Sequence, residues 1–131
     1  MPLEVCHSAV EAIIAAAALA GDEEACGLLF GPEGRIEAAQ SARNVAPDPA
    51  CQFEIDPQAL FDAQRAERGS GPRLAGYFHS HPNGVLEPSD TDRKRAHGDG
   101  KVWAIVANGQ ARFWRDTKEG LQPLSYLLVA G

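Results

Sequence analysis

The sequence has no apolar run near the ~18 uninterrupted residues that a membrane-spanning helix requires, so a transmembrane segment is not expected. No basic start followed by an apolar stretch opens it either, because Glu4, His7 and Glu11 interrupt the N-terminal region; with no secretory leader expected, the cytoplasm is the expected location. Cysteine is scarce. Cys6, Cys26 and Cys51 form an odd set with no CxxC pair, which suits reduced thiols better than a disulfide framework or a zinc ribbon, although one pair could still bridge. Positive charge is also short: 12 Lys and Arg against 18 Asp and Glu leave a net charge of -6. Phosphate backbones are bound mainly by clustered Lys and Arg, so nucleic acid is not an expected partner. The one dense basic run, Arg93-Lys94-Arg95, lies among Asp90, Asp92 and Asp99 and reads as a solvated helix face. Internal repeats and low-complexity segments are lacking.

What is present suits one soluble globular domain over residues 1–131, with 44% hydrophobic and 23% charged residues. Ser8 with Glu11 has the pattern of a capping box, and Val10, Ile13, Ile14, Ala17 and Ala18 recur at helical spacing up to Gly21, predicting a helix over 8–20. Ala25–Phe30 and a run around Arg35–Ser41, separated by Gly31-Pro32-Glu33-Gly34, read as a β-hairpin. Residues 44–55 carry Pro47 and Pro49 without periodicity and predict a loop. Asp56-Pro57 predicts an N-cap and first helical residue, with a helix to about Arg68 stopped at Gly69. Gly69-Ser70-Gly71-Pro72 is a linker, Leu74–His81 a strand, and Ser89 the start of a short third helix. Val102–Ala107 and Ala111–Arg115 flank Asn108-Gly109, a strong hairpin signal, and Leu124–Val129 gives a last strand. Interleaved helices and hairpins without a repeated βαβ unit imply mostly antiparallel pairing.

His79 and His81 stand two apart in the predicted strand, so both imidazoles leave the same face and can chelate one ion. The turn through Pro82–Pro88 returns the chain so that Asp92 is the natural third ligand. Three protein ligands and one open position describe a catalytic zinc site, where bound water is activated near neutral pH. Ser80, between the ligands, should face the other way as a core or supporting hydroxyl.

His79-Ser80-His81-Pro82, followed by Ser89-Asp90-Thr91-Asp92 after the Pro82–Pro88 segment, resembles the JAMM motif of the MPN+ metalloproteases. Glu24-Ala25-Cys26-Gly27-Leu28-Leu29 resembles the upstream glutamate segment of bacterial members, and Asn44 through Phe53-Glu54-Ile55-Asp56-Pro57 resembles their connecting loop. The resemblance covers nearly the whole chain. It implies an α+β fold with a mixed, mostly antiparallel MPN/JAMM sheet flanked by helices. It also implies Zn²⁺ held by His79, His81 and Asp92, Glu24 as the acid/base residue, and Ser89 as an oxyanion donor. Local chemistry does not choose between Glu23 and Glu24; the family's distance to Gly27 favours Glu24. The implied reaction is hydrolysis of a peptide or isopeptide bond at the C-terminal tail of a ubiquitin-like or sulfur-carrier protein. Only Ala96–Lys101 separate the predicted site helix from the next strand, too little for the insertions with which larger relatives grip linked ubiquitin chains.

Plainer readings accompany these. Ser89 and Asp92 also form an ordinary helix cap, Glu23 and Glu24 read as surface carboxylates when taken alone, and relatives that have lost ligands act as non-catalytic interaction modules. A DNA-linked role, suggested by a distant branch with a related His-x-His-Pro pattern, sits poorly with the acidic charge. Cys26 shares Glu24's face by parity and is expected to be a small buried residue. His7 and His97 should be surface groups, and Trp103 and Trp114 should pack the last hairpin.

Overall fold

A computed structural model of the chain describes residues 2–131. Strand β1 (Leu3–Cys6) runs directly into helix α1 (His7–Ala20). The expected capping box at Ser8 does not form: Cys6 is the N-cap and makes no side-chain cap hydrogen bond. The helix begins where the strand ends, so Ser8 lies inside the first turn. At the other end Gly21 adopts φ 60° and its N–H donates to the Ala17 carbonyl, the left-handed stop that glycine tolerates best.

The predicted first hairpin is divided between two sheets. Strand β2 (Cys26–Phe30) pairs antiparallel with β4 (Ala38–Ala42), while the intervening β3 (Arg35–Ile36) pairs parallel with β1. Helix α2 (Pro57–Arg68) starts as the sequence indicates, with the Asp56 carboxylate accepting from Gln58 N–H. Strand β5 (Leu74–Ser80) leads through a loop to helix α3 (Asp90–Arg95). Strands β6 (Val102–Ala107) and β7 (Gln110–Thr117) turn at Asn108 and Gly109, both at positive φ, as a two-residue hairpin requires. The expected strand over 124–129 is in fact the end of β8 (Gly120–Leu124), which pairs with β7, and the separate β9 (Tyr126–Val129), which pairs with β1.

Two sheets result: a six-stranded one ordered β4-β2-β5-β6-β7-β8 and a small parallel one ordered β3-β1-β9. In the larger sheet only β5 and β6 run parallel. The expected fold class, α+β with a mixed, mostly antiparallel sheet flanked by helices, is therefore what the chain adopts.

Alternation along the strands sorts the core into two faces. Leu29, Phe78, Ala104, Val106 and Phe113 pack with Ile13 of α1, whereas Leu28, Trp103, Ile105 and Trp114 belong to clusters on the opposite face. Trp103 and Trp114 face each other across the β6–β7 pair, as expected. His79 pairs with Ile105 and so shares the face opposite α1. Two glycines allow close strand approach: a Cβ at Gly76 would strike the Val102 backbone, and one at Gly27 the Gln40 carbonyl and the Phe78 ring. No helix among the described residues is long and apolar enough to cross a membrane, and all three cysteines are free thiols.

Candidate metal centre

Strand β5 carries His79, and its ladder reaches one residue further because His81 N–H donates to the Val106 carbonyl at 2.9 Å. Pro82 then turns the chain away, and Ser89 caps α3. The Ser89 hydroxyl accepts from Asp92 N–H at 3.0 Å, and Asp92 Oδ2 accepts from Ser89 N–H at 2.9 Å. The capping box therefore orients the carboxylate as well as starting the helix. His79 Nε2 and His81 Nε2 lie 3.1 Å apart, and each lies 3.0 Å from Asp92 Oδ2. These three residues are 1%, 6% and 4% exposed. The three atoms form a nearly equilateral, buried triangle.

Proton bookkeeping shows that this triangle suits a cation. His81 Nδ1 lies 2.8 Å from the Val85 carbonyl, an oxygen that can only accept, so Nδ1 carries a proton and fixes the tautomer. In the neutral ring Nε2 then presents a lone pair toward a second nitrogen and a carboxylate oxygen. Without a cation, the arrangement is held by extra protons crowded onto a single Oδ2; one divalent ion satisfies all three atoms at once. Bond lengths of about 2.0–2.2 Å to zinc place tetrahedral ligand atoms about 3.3 Å apart, close to the 3.0–3.1 Å edges found. The ligand set fits zinc.

Titration in the metal-free protein follows the same geometry. Burial lowers His79, only partly offset by its hydrogen bond to Asp92. Burial also acts to lower His81, but the Asp92 hydrogen bond and the Val85 carbonyl outweigh it, and His81 ends above the usual imidazole value. Burial would raise Asp92, yet hydrogen bonds from both imidazoles hold it far below the ordinary carboxylate range.

Glu24 sits just before β2, 7% exposed, with Oε1 buried and without a hydrogen-bond partner. Burial, opposed by His81 and reinforced by Asp92, raises its pKa to about 7. Its carboxylate oxygen and the two imidazole nitrogens lie within 4.8 Å of one another. That grouping admits Glu24 as a ligand in place of Asp92, but the 3.0 Å contacts belong to Asp92. Glu23, by contrast, is exposed.

Four supporting residues, Asn44, Pro49, Phe53 and Arg95, were not legible as such from the sequence. Asn44 Nδ2 donates to the Glu24 carbonyl and to the Gln52 carbonyl, while its Oδ1 accepts from Ala46 and Glu54 N–H. Pro49 accepts from Glu24 N–H at 2.7 Å, so the 44–55 loop grips the Glu24 backbone on both sides. Phe53 stacks on His79 with centroids 4.1 Å apart and planes 17° from parallel. Arg95, expected to be part of a solvated run, instead donates to the Phe53 carbonyl at 2.6 Å. The length of the loop hides these contacts, since Asn44 and Phe53 acquire meaning only when it folds back on β2 and β5. Ser80 is a buried supporting hydroxyl, accepting from Ala25 N–H at 2.8 Å. Cys26 is buried opposite His79, its thiol pushed up to about 12 by burial and by Glu24. His7 and His97 are exposed. A cleft of about 330 Å³ lined by Glu24, Cys51, His81, Pro82 and Ser89 opens beside the triangle.

The fold and this constellation define a JAB-type domain, and the sequence model described as "Prokaryotic homologs of the JAB domain" matches residues 7–117. The chain belongs to that family, and the JAMM/MPN resemblance of its motif is borne out. Among individual proteins it is similar to the desampylase of Haloferax volcanii, 35% identical over an alignment of 92 residues that covers 67% of this chain and 66% of that one. The chain thus aligns with just under two thirds of that relative's length. A solution structure of a Desulfitobacterium hafniense protein superposes with a TM-score of 0.84 at 25% identity, covering 98% of this chain and 94% of that one. A JAB1/MPN domain protein from Archaeoglobus fulgidus superposes with a TM-score of 0.65 at 19% identity, covering 95% and 99%.

Proposed function

We propose that the chain is a cytoplasmic, single-domain zinc peptidase or isopeptidase that cuts at the C-terminal tail of a ubiquitin-like or sulfur-carrier protein. His79, His81 and Asp92 are its zinc ligands. The observation that carries this reading is the buried triangle beside a carboxylate whose Oε1 has no partner. Membership of the JAB family and likeness to a desampylase, a name for an enzyme acting on a ubiquitin-like modifier, support the substrate class.

A bound zinc ion lowers the pKa of a water toward ~7 and polarises a carbonyl oxygen. With zinc held by His79, His81 and Asp92, the unpartnered oxygen of Glu24 would accept a proton from the attacking water and would pass it to the departing amine. In the metal-free protein burial raises this carboxyl to about 7, so its surroundings favour its holding a proton. Asn44 and the Pro49 carbonyl fix the Glu24 backbone, and Phe53 holds the plane of His79. The Ser89 hydroxyl, at the rim of the cleft, donates to the oxyanion that develops.

The test is incubation of zinc-loaded protein with β-grasp carriers bearing short C-terminal extensions, followed by intact mass. The extension should be lost with the wild type and retained with chelated protein and with Glu24→Gln. Cleavage surviving in Glu24→Gln overturns the base assignment, and absence of cleavage on any carrier overturns the proposed activity.

A further inference from the structure

A second cavity, of about 390 Å³, adjoins the metal cleft: Glu87 and Pro88 line both. Its walls include Arg93, Arg112, Trp114 and Tyr126. Strand register places Arg112 with unusual definition. His79 pairs with Ile105 on β6, and Ile105 pairs with Arg112 on β7, so the three lie in one row across the sheet. Directly paired residues share a face, so Arg112 rises on the face that carries the zinc ligand. Two strand spacings separate its backbone from that of His79 by roughly 10 Å. Arg93 follows the ligand Asp92 immediately in α3. Both arginines are exposed, and among the described residues neither has a carboxylate within 4.0 Å. Glu87, the one carboxylate in the lining, leaves the cavity with a net positive charge in a chain of net charge -6.

We infer that this cavity is a carboxylate-binding subsite for the fragment released on cleavage, with Arg93 and Arg112 as its specificity-determining residues. Guanidinium groups present paired N–H donors matched to a carboxylate. The direction follows from Glu24, which lines the metal cleft and delivers the proton to the leaving amine; the leaving fragment therefore lies in that cleft, and the cavity that shares Glu87 and Pro88 with it is the adjoining place for the rest of the fragment. The cavity on the other side of His79, formed by Phe53, Ile55, Leu60, Tyr77 and Trp103 with Arg95, shares no lining residue with the cleft. The inference rests on the peptidase reading and adds that the bond cut lies close to a carboxylate on the leaving side. That carboxylate is either the α-carboxylate of a single joined residue or an acidic side chain.

Binding and cleavage test it separately. Zinc-loaded Glu24→Gln protein is titrated with Gly-Gly-Ala as free acid, Gly-Gly-Ala amide and Gly-Gly-Asp amide, following the Arg93 and Arg112 Nε–H and Trp114 indole signals by NMR. The free acid, the aspartyl amide or both should bind about tenfold more tightly than the neutral amide, as a charge-assisted pair provides, with shifts centred on the two arginines. Whichever acid is preferred identifies the source of the carboxylate. Arg112→Gln and Arg93→Gln should each remove most of that preference, while zinc content and affinity for the neutral amide stay unchanged. Equal affinity for acid and neutral peptides, or a preference that survives the Arg93→Gln/Arg112→Gln double variant, overturns the subsite. In the cleavage arm, carriers ending in the same extensions should show the same ranking in kcat/KM. Preferential binding without cleavage of any carrier leaves the subsite standing and removes the peptidase reading.

Discussion

Glu24 makes a prediction that needs no substrate and no metal. In the chelated protein its pKa rises from 4.5 to about 7, chiefly through burial. A carboxyl whose folded pKa exceeds its unfolded value holds more protons in the native state between those two values. Stability must therefore fall as pH rises through that window, and level off above the folded pKa. Each pKa unit is worth about 1.36 kcal/mol, so the penalty at pH 8 amounts to about 3 kcal/mol as an upper bound. Burial of Glu24 to 7% exposure limits screening by solvent. The perturbation is Glu24→Gln, which keeps the shape and cannot titrate. The assay is urea unfolding of both proteins in excess chelator at intervals from pH 4 to 8.5. The informative quantity is the difference between the two proteins, in which the contributions of groups that Glu24 does not perturb cancel. Glu24→Gln should gain on the wild type as pH rises from about 4.5 to 7, by a total of about 2–3 kcal/mol, and then stay level. Any new hydrogen bond of the glutamine adds a constant and leaves the shape unchanged. A difference that is flat across the range would refute the reasoning that burial holds this carboxyl neutral.

Ser89→Ala removes the side chain that accepts from Asp92 N–H and should cost about 1 kcal/mol in urea unfolding of the chelated protein, with weaker zinc binding because Asp92 loses part of its fixation. Phe53→Ala removes the ring stacked on His79; the loss of the stack should contribute about 0.5–1.5 kcal/mol to the fall in stability, and NMR should show the His79 ring signals shifted and broadened in the metal-free protein. Gly76→Ala sets a methyl against the Val102 backbone at the parallel β5–β6 pair and should destabilise by about 3 kcal/mol or more, seen as loss of soluble protein or a large drop in Tm. A normal Tm would show that the two strands can part at that point.

The sequence disclosed those parts of the fold whose signals are local. Asp56-Pro57 capped α2, Asn108-Gly109 turned β6 into β7, and the spacing of His79 and His81 put both rings on one face. Where long-range pairing decides, local signals failed. Leu3–Cys6 is too short to announce a strand, yet it pairs on both sides with segments distant in the chain. That pairing set the helix start at His7, ahead of the expected Ser8, and pulled Arg35–Ile36 out of the expected hairpin. Pro123 within Gly120–Leu124 hid β8, and proline is tolerated there because β8 is an edge strand. At the site, His79, His81, Ser89 and Asp92 were legible because they lie close together in sequence and act through simple spacing. Glu24 needed the family pattern to be distinguished from Glu23, since only the folded chain buries one and exposes the other. Asn44, Phe53 and Arg95 stayed hidden because their partners are 20, 26 and 42 residues away.

The most direct measurement of the central claim is zinc content per chain, by elemental analysis of protein purified without added metal chelator, for the wild type, Asp92→Ala, His81→Ala and Glu24→Gln. One zinc per chain is expected in the wild type and in Glu24→Gln, and almost none in Asp92→Ala or His81→Ala, with circular dichroism showing that each variant is folded. Full zinc in Asp92→Ala, or its loss in Glu24→Gln alone, would contradict a centre built from two imidazoles and the Asp92 carboxylate.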